Sequence, residues 1–341
     1  MYRPKKILIV RTDRIGDVIL STPVIRNLRL AFPEVFIAFM CRPYTKEIVE
    51  GSPYLNEVIV YDKYGKHKGV LSSIGFSRFL KNKRFDWAVI LHPTNRAHLL
   101  TFFAGIPFRV GWNKKLGFLL TKAVSHTKQE GKKHELEYTL DILRELNIPI
   151  VDKSLYFPLK KEAEEFIEML LKARGVKNDD IFILVHPSAS CASKRWPPKY
   201  FSELITLLKR EFNPKIGVVT SPDEKIFGEK IIRDHKDLID LRGKLNLSQL
   251  GALLKRSSLF ISNDSGPPHI ASALNTPVIT IFGRNQPGLS PQRWRPIGEN
   301  SFYFHKDVGC KVCFAHNCTK GFLCLKAIKP QEVFLAAKEL L

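Results

Sequence analysis

The sequence contains no apolar run that approaches the roughly 18 to 20 residues of a membrane-spanning helix, which excludes an anchor of that kind. Its first residues are basic, but the apolar stretch that follows, Ile7–Val10, is too short for the core of a signal peptide. Low-complexity segments and short repeats are absent as well. We therefore expect a cytoplasmic globular protein.

Acidic residues are scarce relative to basic ones: 33 Asp and Glu stand against 54 Lys and Arg, and the formal net charge is +21. Residues 1–152 hold 25 basic and 14 acidic side chains, and residues 153–341 hold 29 and 19, so a basic tail is excluded. The excess charge either solvates the surface or attracts phosphate-rich material such as a nucleotide, an anionic glycolipid, a membrane face or nucleic acid.

Signatures of nucleic-acid-binding proteins are missing. There is no zinc-finger, RNP or KH motif, and no aromatic stripe alternates with basic residues. The G-x-G-x-x-G fingerprint is absent too, which disfavours NAD. We expect no nucleic-acid partner and no cofactor.

The chain has only six cysteines, and four of them are grouped: Cys310, Cys313, Cys318 and Cys324. Four thiolates at this spacing are compatible with structural zinc, although the last two spacings are loose for a zinc ribbon. Two disulfides are uncommon in a cytoplasmic protein unless its source is a thermophile. Zinc, disulfides and free thiols all stay open, and none of them would be catalytic.

Short apolar runs alternate with longer helical patterns, which is typical of parallel sheets with crossover helices. Strands are predicted at Lys5–Val10, Val35–Met40, Val58–Tyr61, Asp86–Leu91, Arg109–Trp112, Ile181–His186, Lys215–Thr220, Leu238–Leu241, Leu259–Ser262 and Pro277–Phe282. Helices are predicted at Gly16–Ala31, Leu71–Asn82, Lys133–Leu146, Pro198–Glu211, Glu224–Asp234, Ser248–Lys255, Pro267–Leu274 and Gln331–Leu341. At 341 residues the chain exceeds what one core usually fills, so the pattern predicts two doubly wound α/β domains with a cleft between them.

The segment Arg11–Pro23 directly follows the first predicted strand and contains a turn at Gly16. Asp13 and Asp17 bracket that turn. They either cap the start of a helix, where carboxylates are favourable, or supply a general base at the mouth of the cleft.

Two segments of the second half have anion-binding character. His186–Pro197 offers Ser188, Ser190 and Lys194, which suit phosphate oxygens, or it is a polar loop that merely starts the next helix. In Ser262–Ala273, a Ser-Gly turn and two prolines shape a helix start whose amides attract anions. His269 either donates to a phosphate or sugar there, or packs in the core. A fourth segment, Ile281–Pro287, is a weaker candidate for the same site.

In this order the four segments resemble glycosyltransferase family 9, the ADP-heptose:lipopolysaccharide heptosyltransferases, over nearly the whole chain. The Gly16-Asp17 element, Lys194-Arg-Trp-Pro197 and Asp264-Ser-Gly-x-x-His269 carry the resemblance, which extends to the second heptosyltransferase of the inner core and its relatives. It implies a GT-B fold, inverting transfer without a metal, and three parts: an acceptor-binding domain (1–152), a nucleotide-sugar-binding domain (153–328) and a closing helix (329–341).

The resemblance also assigns roles to residues. Asp17 falls at the position of the catalytic base, and Asp13 and Arg14 lie where the acceptor would bind. The nucleotide sugar would contact nine residues: Ser188 and Ser190 at the phosphates with Lys194, Glu224 at the ribose, Leu245 at the adenine, and Asp264, Ser265, Gly266 and His269 at the sugar and diphosphate. Many relatives have Gly in place of Ser188. The backbone at Ser188 would therefore approach the phosphate less closely than in those relatives, which weakens the assignment of the Ser188 and Ser190 hydroxyls to the phosphates.

The implied partners are therefore ADP-heptose, an acidic lipopolysaccharide-core acceptor and, peripherally, the anionic face of the inner membrane. Alternatives within the same fold are a GT-B enzyme for another nucleotide sugar or glycan, and a nucleotide-sugar epimerase. An epimerase would consume the donor without any acceptor.

Overall fold

The computed structural model describes residues 3–341 and divides the chain into two compact units. One consists of Met1–Gln129 with Glu135–Pro158, and the other of Glu130–His134 with Leu159–Leu341. Within residues 3–341, no helix combines the length and the apolar character that a membrane span requires. The acceptor and donor roles of the two domains stay predictions.

The first unit is built on a parallel sheet with the strand order β3-β2-β1-β4-β5-β6. Its strands are β1 (Lys6–Val10), β2 (Phe36–Cys41), β3 (Glu57–Val60), β4 (Trp87–Ile90), β5 (Phe108–Trp112) and β6 (Lys122–Val124). Its helices are α1 (Ile15–Ile19), α2 (Thr22–Ala31), α3 (Val70–Lys83), α4 (Asn95–Phe103) and α5 (Glu135–Arg144). The strand order reverses between β1 and β4, which is where ligands bind in doubly wound sheets.

The second unit repeats this order as β12-β11-β10-β7-β8-β9, with the reversal between β7 and β10. Its strands are β7 (Phe182–His186), β8 (Lys215–Val218), β9 (Ile239–Asp240), β10 (Leu259–Asn263), β11 (Val278–Ile281) and β12 (Ser301–Phe304). Its helices are α6 (Lys161–Ala173), α7 (Pro198–Phe212), α8 (Glu229–Asp234), α9 (Leu247–Arg256), α10 (Pro267–Ala273), α11 (Pro291–Trp294), α12 (Leu323–Ala327) and α13 (Pro330–Leu340).

The apolar pattern of the sequence explains these elements. In β1, Ile7 to Val10 are fully buried, as expected for a central parallel strand that is covered on both faces. Helix α7 instead buries one stripe, which includes Phe201, Leu204 and Leu208 at helical spacing, and exposes its other side.

Two predicted helices are wrong in detail. The helix predicted over Gly16–Ala31 is interrupted: α1 ends at Ile19 and α2 begins at Thr22, because Pro23 lacks the amide proton that would continue the first helix. The helix predicted from Glu224 begins as a 3₁₀ turn, Pro222–Gly228, before α8. The prediction also omitted the edge strands β6 and β12, whose short, partly exposed sequences give little periodic signal. It missed α4 and also α6, although α6 buries Ala163, Ile167 and Leu171 at helical spacing.

Trp196 joins the second sheet to the end of the chain. Its ring is fully buried and lies 5.0 Å, centroid to centroid, from Phe201. Its indole N–H donates to the carbonyl oxygen of Ile328 at 3.0 Å, just before α13. Helix α13 then packs beside α7 and adds Val333 to the same core.

Trp196→Ala is expected to lower the free energy of unfolding by about 3 to 5 kcal/mol, because it opens a cavity and leaves the Ile328 carbonyl unpaired. Leu335→Ala, at a side chain on α13 that is 60% exposed, is the control and should change stability by less than about 0.5 kcal/mol. Urea unfolding followed by circular dichroism measures both variants. Equal losses in the two would show that Trp196 does not join these elements.

Candidate functional site

Polar side chains collect in each unit where the strand order reverses. In the first unit they follow β1 and β4, and in the second they follow β7 and β10. Both sets lie at the carboxyl ends of buried strands. There the side chains are no longer packed in the core, and the backbone amides are not paired with a neighbouring strand.

Arg11 is the centre of the set in the first unit. It is only 2% exposed. Its Nε donates to Oδ1 of Asp13 at 2.9 Å, and one terminal nitrogen donates to Oδ1 of Asp17 at 2.6 Å and to Oε1 of Glu135 at 3.1 Å. The other donates to the carbonyl oxygen of Leu91 at 3.1 Å. One buried guanidinium thus fixes three carboxylates and the end of β4.

Charge counting in this cluster leaves one carboxylate in excess. Arg11 and Lys128, which donates to Glu135 at 2.7 Å, face the carboxylates of Asp13, Asp17 and Glu135. Burial raises the pKa of Asp13 to about 7; Arg11 opposes this, and the nearby Asp17 and Glu135 add to it. Asp13 is therefore partly protonated at neutral pH.

Asp17 lies in the first turn of α1, and its side chain is 17% exposed. The carboxylate is held by Arg11 on one oxygen, and the turn at Gly16 places it beside Asp13. The structure therefore brings together both aspartates that bracket the turn, as the sequence suggested. Arg14 is exposed at the N-cap of α1 and makes no side-chain capping bond.

His92 was not among the predicted site residues. Its Nδ1 lies 3.5 Å from Oδ2 of Asp13, and the pKa of His92 is lowered to about 3 by burial, with Arg11, Lys63 and Lys128 contributing. The imidazole is therefore neutral. On the other side, the hydroxyl of Tyr44 donates to the backbone carbonyl of Asp13 at 2.9 Å. The Tyr44 bond fixes the backbone of Asp13, whereas Nδ1 of His92 is a buried nitrogen that has no hydrogen-bond partner among the described residues.

A cavity of about 270 Å³ opens beside this cluster in the first unit. Thr12, Lys63, Arg96 and Lys115 contribute to its lining, so three of its side chains are cations. Lys63 donates to the carbonyl oxygen of Thr12 at 2.9 Å. Arg96 donates to the carbonyl oxygens of Lys63 and Lys68, at 3.0 and 2.7 Å, and holds the loop between them.

Asp264 organises the set in the second unit. Its Oδ2 accepts from Lys194 at 3.1 Å and from Arg284 at 2.9 Å, and all three side chains are at most 13% exposed. Arg284, which follows β11, was not a predicted site residue. Two cations against one carboxylate leave a net positive charge, which suits an anionic ligand. Asp264 holds both cations in position, and its predicted contact with the ligand stays a prediction.

Ser188 is fully buried, and its hydroxyl is bonded to Nε2 of His186 at 3.0 Å. Nδ1 of the same imidazole contacts the hydroxyl of Ser262 at 3.1 Å, and that hydroxyl lies 3.2 Å from the hydroxyl of Ser265. This chain of bonds ties the loop after β7 to the loop after β10. Ser188 thus supports the site from within, and Ser190 is exposed on the same loop.

His269 lies in the first turn of α10 and is 3% exposed. Burial lowers its pKa to about 3, so the ring is neutral. Among the described residues, neither its Nδ1 nor Nε of Arg284 has a hydrogen-bond partner, although both atoms are buried. Buried polar atoms are normally paired, so these two nitrogens indicate a ligand beside Gly266 and Asp264.

Close backbone approaches hold the loops of the second unit in place. Asn263 accepts from the amide of Trp196 and donates to the carbonyl oxygen of Pro187, which binds the two ends of the Lys194 loop to β10. A Cβ at Gly283 would lie 2.5 Å from the carbonyl oxygen of Ser193. Only glycine permits this contact between the loops that carry Lys194 and Arg284.

Glu224 and Leu245 follow the neighbouring strands β8 and β9. Both are partly exposed, and the hydroxyl of Ser221 donates to Oε2 of Glu224 at 3.1 Å. Their loops touch, since a Cβ at Gly243, where φ is +64°, would lie 2.9 Å from Cα of Pro222. The predicted ribose and adenine contacts are therefore placed on adjoining loops, and their roles stay predictions.

The grouped cysteines line a cavity of about 470 Å³ in the second unit, together with Arg284. The thiols of Cys310, Cys313, Cys318 and Cys324 are all free. Nowhere in residues 3–341 are three or more His, Cys, Asp or Glu side chains arranged to hold a metal ion. Of the three alternatives for these cysteines, zinc, disulfides and free thiols, the described residues show free thiols.

Comparison with known proteins is consistent with this architecture. Residues 74–323 match the family described as Glycosyltransferase family 9 (heptosyltransferase). The chain is 27% identical over 338 residues to lipopolysaccharide heptosyltransferase 3 of Escherichia coli (strain K12). The alignment covers 96% of this chain and 95% of that protein.

Solved structures resemble the whole chain. The family 9 glycosyl transferase of Veillonella parvula DSM 2008 gives a TM-score of 0.87 at 23% identity, over 100% of this chain and 98% of that one. ADP-heptose lps heptosyltransferase II of E. coli gives 0.79 at 22% identity, over 98% of each chain.

The two doubly wound sheets and these likenesses define an α/β enzyme of the GT-B class, so the predicted fold class is confirmed. The chain belongs to glycosyltransferase family 9. The predicted family and enzyme class are therefore correct. Asp17 lies outside the matched residues, and its catalytic role stays a prediction.

Asp13→Asn is expected to change how stability depends on pH. Between pH 3.8 and about 7, the folded state holds a proton on Asp13 that the unfolded state has released, so the stability of the wild-type protein falls as pH rises through this range. Asparagine has no titratable carboxyl group, so this contribution to the pH dependence of stability is lost. The variant should gain stability relative to wild type from pH 5 to pH 8, as measured by urea unfolding.

Asp223→Asn, at an exposed carboxylate in the second unit, is the matched control. Its difference in stability from wild type should stay flat across the same pH range. If the Asp13→Asn difference is equally flat, Asp13 does not hold a proton near neutral pH.

Proposed function

We propose that this enzyme transfers a heptose from ADP-heptose to an acidic acceptor in the inner core of lipopolysaccharide, with inversion at the anomeric carbon and without a metal. The observation that carries this proposal is the Arg11 cluster, which presents Asp17 beside a partly protonated Asp13 at the strand reversal of a family 9 glycosyltransferase. The relative named lipopolysaccharide heptosyltransferase 3 supports heptose as the sugar and lipopolysaccharide as the acceptor, and the similar structure titled ADP-heptose lps heptosyltransferase II supports ADP-heptose as the donor.

The donor diphosphate binds in the second unit. Lys194 and Arg284 supply two positive charges, and Asp264 holds both in position. A neutral His269 donates one N–H to a phosphate or sugar oxygen, and Ser265 and Gly266 complete the turn beside it. As the sugar leaves, negative charge grows on the diphosphate, and these fixed cations stabilise it in the role that a divalent cation has elsewhere.

In the transfer step, Asp17 accepts the proton of the attacking hydroxyl. The acceptor oxygen forms a bond to the anomeric carbon from the face opposite ADP, the bond from that carbon to the phosphate oxygen breaks, and ADP leaves with the electron pair. Arg11 keeps the Asp17 carboxylate oriented. Asp13 and Arg14 contact the acceptor, and at neutral pH the protonated form of Asp13 donates a hydrogen bond without adding charge.

The acceptor binds in the first unit, where the cations of the 270 Å³ cavity meet its acidic sugars or phosphates. Because such an acceptor is anchored in lipid, the enzyme works at the cytoplasmic face of the inner membrane and touches its anionic surface peripherally. Part of the net charge of +21 follows from this location.

The direct test incubates the protein with ADP-heptose and lipopolysaccharide that lacks the heptose, in the presence of EDTA, and looks for a mass gain of one heptosyl residue on the acceptor. Transfer only from a UDP-sugar would reassign the donor. Turnover of the donor without any acceptor would identify an epimerase, and a strict need for magnesium or manganese would contradict the role given to Lys194 and Arg284.

Lys194→Ala is expected to weaken ADP binding by about 10- to 150-fold, the equivalent of about 1.5 to 3 kcal/mol for one charge-assisted contact to phosphate. Thermal shift with ADP measures it, since ligand binding raises the melting temperature by mass action. Lys199→Ala is the control, because this lysine is 75% exposed at the start of α7 and should leave the shift unchanged. If ADP raises the melting temperature of both variants equally, Lys194 does not contact the donor.

Asp17→Asn is expected to reduce the transfer rate by about 10² to 10⁴ while ADP binding is retained, because asparagine cannot accept the proton. Asparagine also keeps the preference of aspartate for a helix start, so α1 should survive. The rate is measured with saturating donor, alongside Asp13→Asn. An inactive Asp13→Asn with an active Asp17→Asn would assign the base to Asp13, and full rates in both would place it elsewhere.

A further inference from the structure

The positive charge of the first unit is concentrated in one continuous segment. Residues 63–129 contain thirteen Lys and Arg residues and a single acidic residue, Asp86. The rest of residues 1–152 contains twelve basic and thirteen acidic residues. The excess charge of this half therefore lies entirely in 63–129, a segment of which the cavity cations are only a small part.

The same segment exposes large apolar side chains. Val70 and Leu71 are 77% and 84% exposed, Phe103 is 62% exposed and Phe118 is 79% exposed. Of the 22 large hydrophobic side chains that are exposed in residues 3–341, nine lie between 64 and 118. Water disfavours apolar area gathered in this way, so such patches mark interaction sites.

These side chains belong to elements that pack side by side. Helix α3 packs along α4, and α4 in turn contacts the 3₁₀ turn Gly117–Leu119. Arg109 connects the last two: its guanidinium lies 5.4 Å from the ring centroid of Phe102 and donates to the carbonyl oxygen of Leu119 at 2.8 Å. We name the outer side of α3, α4 and this turn the α3–α4 surface.

Helix α3 shows how apolar and basic groups share this surface. It turns Phe76 and Leu80 onto the sheet, where both are buried. Because successive residues of a helix are about 100° apart, its opposite side carries Val70, Leu71 and Ile74 together with the exposed Arg78 and Lys81.

Exposed apolar side chains among cations are the composition of a helix that lies in a membrane interface, with its apolar groups below the headgroups and its Lys and Arg at the phosphates. A second copy of this chain is a poor occupant, because it would oppose one strongly basic face with another. We propose that the α3–α4 surface docks on an anionic lipid bilayer, with Leu71, Phe103 and Phe118 inserted at the headgroup boundary.

Docking would also position the acceptor, a consequence that rests on the function proposed above. Two residues that line the 270 Å³ cavity border the α3–α4 surface: Arg96, in the first turn of α4, and Lys115, shortly before the turn Gly117–Leu119. A bilayer seated on this surface would hold lipid-anchored sugars at the height of the cavity, so the acceptor reaches Asp17 without leaving the membrane.

The first experiment measures binding of the full-length protein to vesicles without any substrate. Vesicles of phosphatidylethanolamine and phosphatidylglycerol are sedimented with the protein, beside vesicles of phosphatidylcholine. We expect strong binding to the anionic vesicles, weakened by high salt, and little binding to phosphatidylcholine.

Two variants separate charge from insertion. The first replaces four cations of α3 and its C-cap, Arg78, Lys81, Lys83 and Arg84, with Gln. Each cation contributes about a fivefold gain in affinity, so the partition coefficient onto anionic vesicles should fall roughly 100-fold or more. The second replaces Leu71, Phe103 and Phe118 with Ser and should lower it roughly 10-fold or more through lost apolar burial.

The matched controls carry the same changes in the second unit. One replaces the exposed Lys172, Lys177, Lys236 and Lys255 with Gln, which removes an equal charge. The other replaces Met169, Ile226 and Leu335 with Ser, at side chains 60% to 65% exposed. Both should bind vesicles like wild type, and circular dichroism and thermal melts check that every variant is folded.

Activity distinguishes docking from catalysis. With the acceptor embedded in anionic vesicles, both α3–α4 variants should transfer heptose at least about 10-fold more slowly than wild type. With a deacylated, water-soluble acceptor, they should match wild type, because no changed residue belongs to the Arg11 cluster or lines the cavity.

Vesicle binding by the α3–α4 variants equal to that of the controls would overturn the proposal. So would conversion of an oligomer to a monomer in these variants with vesicle binding intact, since the surface would then cover a second copy. Normal vesicle binding by a wild-type protein that transfers no heptose would instead refute the proposed function and leave the docking surface standing.

Discussion

Most of the first unit's chemistry depends on the buried guanidinium of Arg11. A buried charge is tolerated only when it is paired, and Arg11 is paired with three carboxylates and a backbone carbonyl. The pairing draws Glu135 of α5 to the turn after β1, so one side chain connects the helix layer to the site. Removal of the guanidinium would leave mutually repelling carboxylates in a buried place, which is why this one contact governs both the stability and the protonation of the cluster.

The two units use electrostatics in opposite senses. The first places three carboxylates around Arg11 and Lys128, and the pKa of Asp13 is raised to about 7 by burial. The second has a surplus cation, because Asp264 neutralises only one of Lys194 and Arg284. Under the proposed function, the first unit would supply the proton acceptor and the second the anion site that sugar transfer from a nucleotide diphosphate needs. Asn263 and Gly283 tie together the loops that carry the two cations.

The net charge of +21 serves more than one purpose. A small share of it surrounds the anion site and the cavity of the first unit, where single cations make specific contacts. Another share lies in residues 63–129, where exposed cations of α3 such as Arg78 and Lys81 are mixed with exposed aromatic and aliphatic side chains. Contact with a membrane would explain both features with one partner, whereas solvation alone would not require exposed apolar groups in the same place.

The sequence by itself determined the alternation of strands and helices, the two doubly wound sheets and the positions of Asp17, Lys194 and Asp264 at strand ends, because backbone periodicity and strand-turn-helix signals are local. Only the tertiary structure decided which side chains meet. Glu135 reaches Arg11 across 124 positions, Arg284 joins Asp264 from the next strand, and the Ser188 hydroxyl turns inward to His186. Such partners depend on which strands become neighbours and which groups lose water, and no local pattern encodes either.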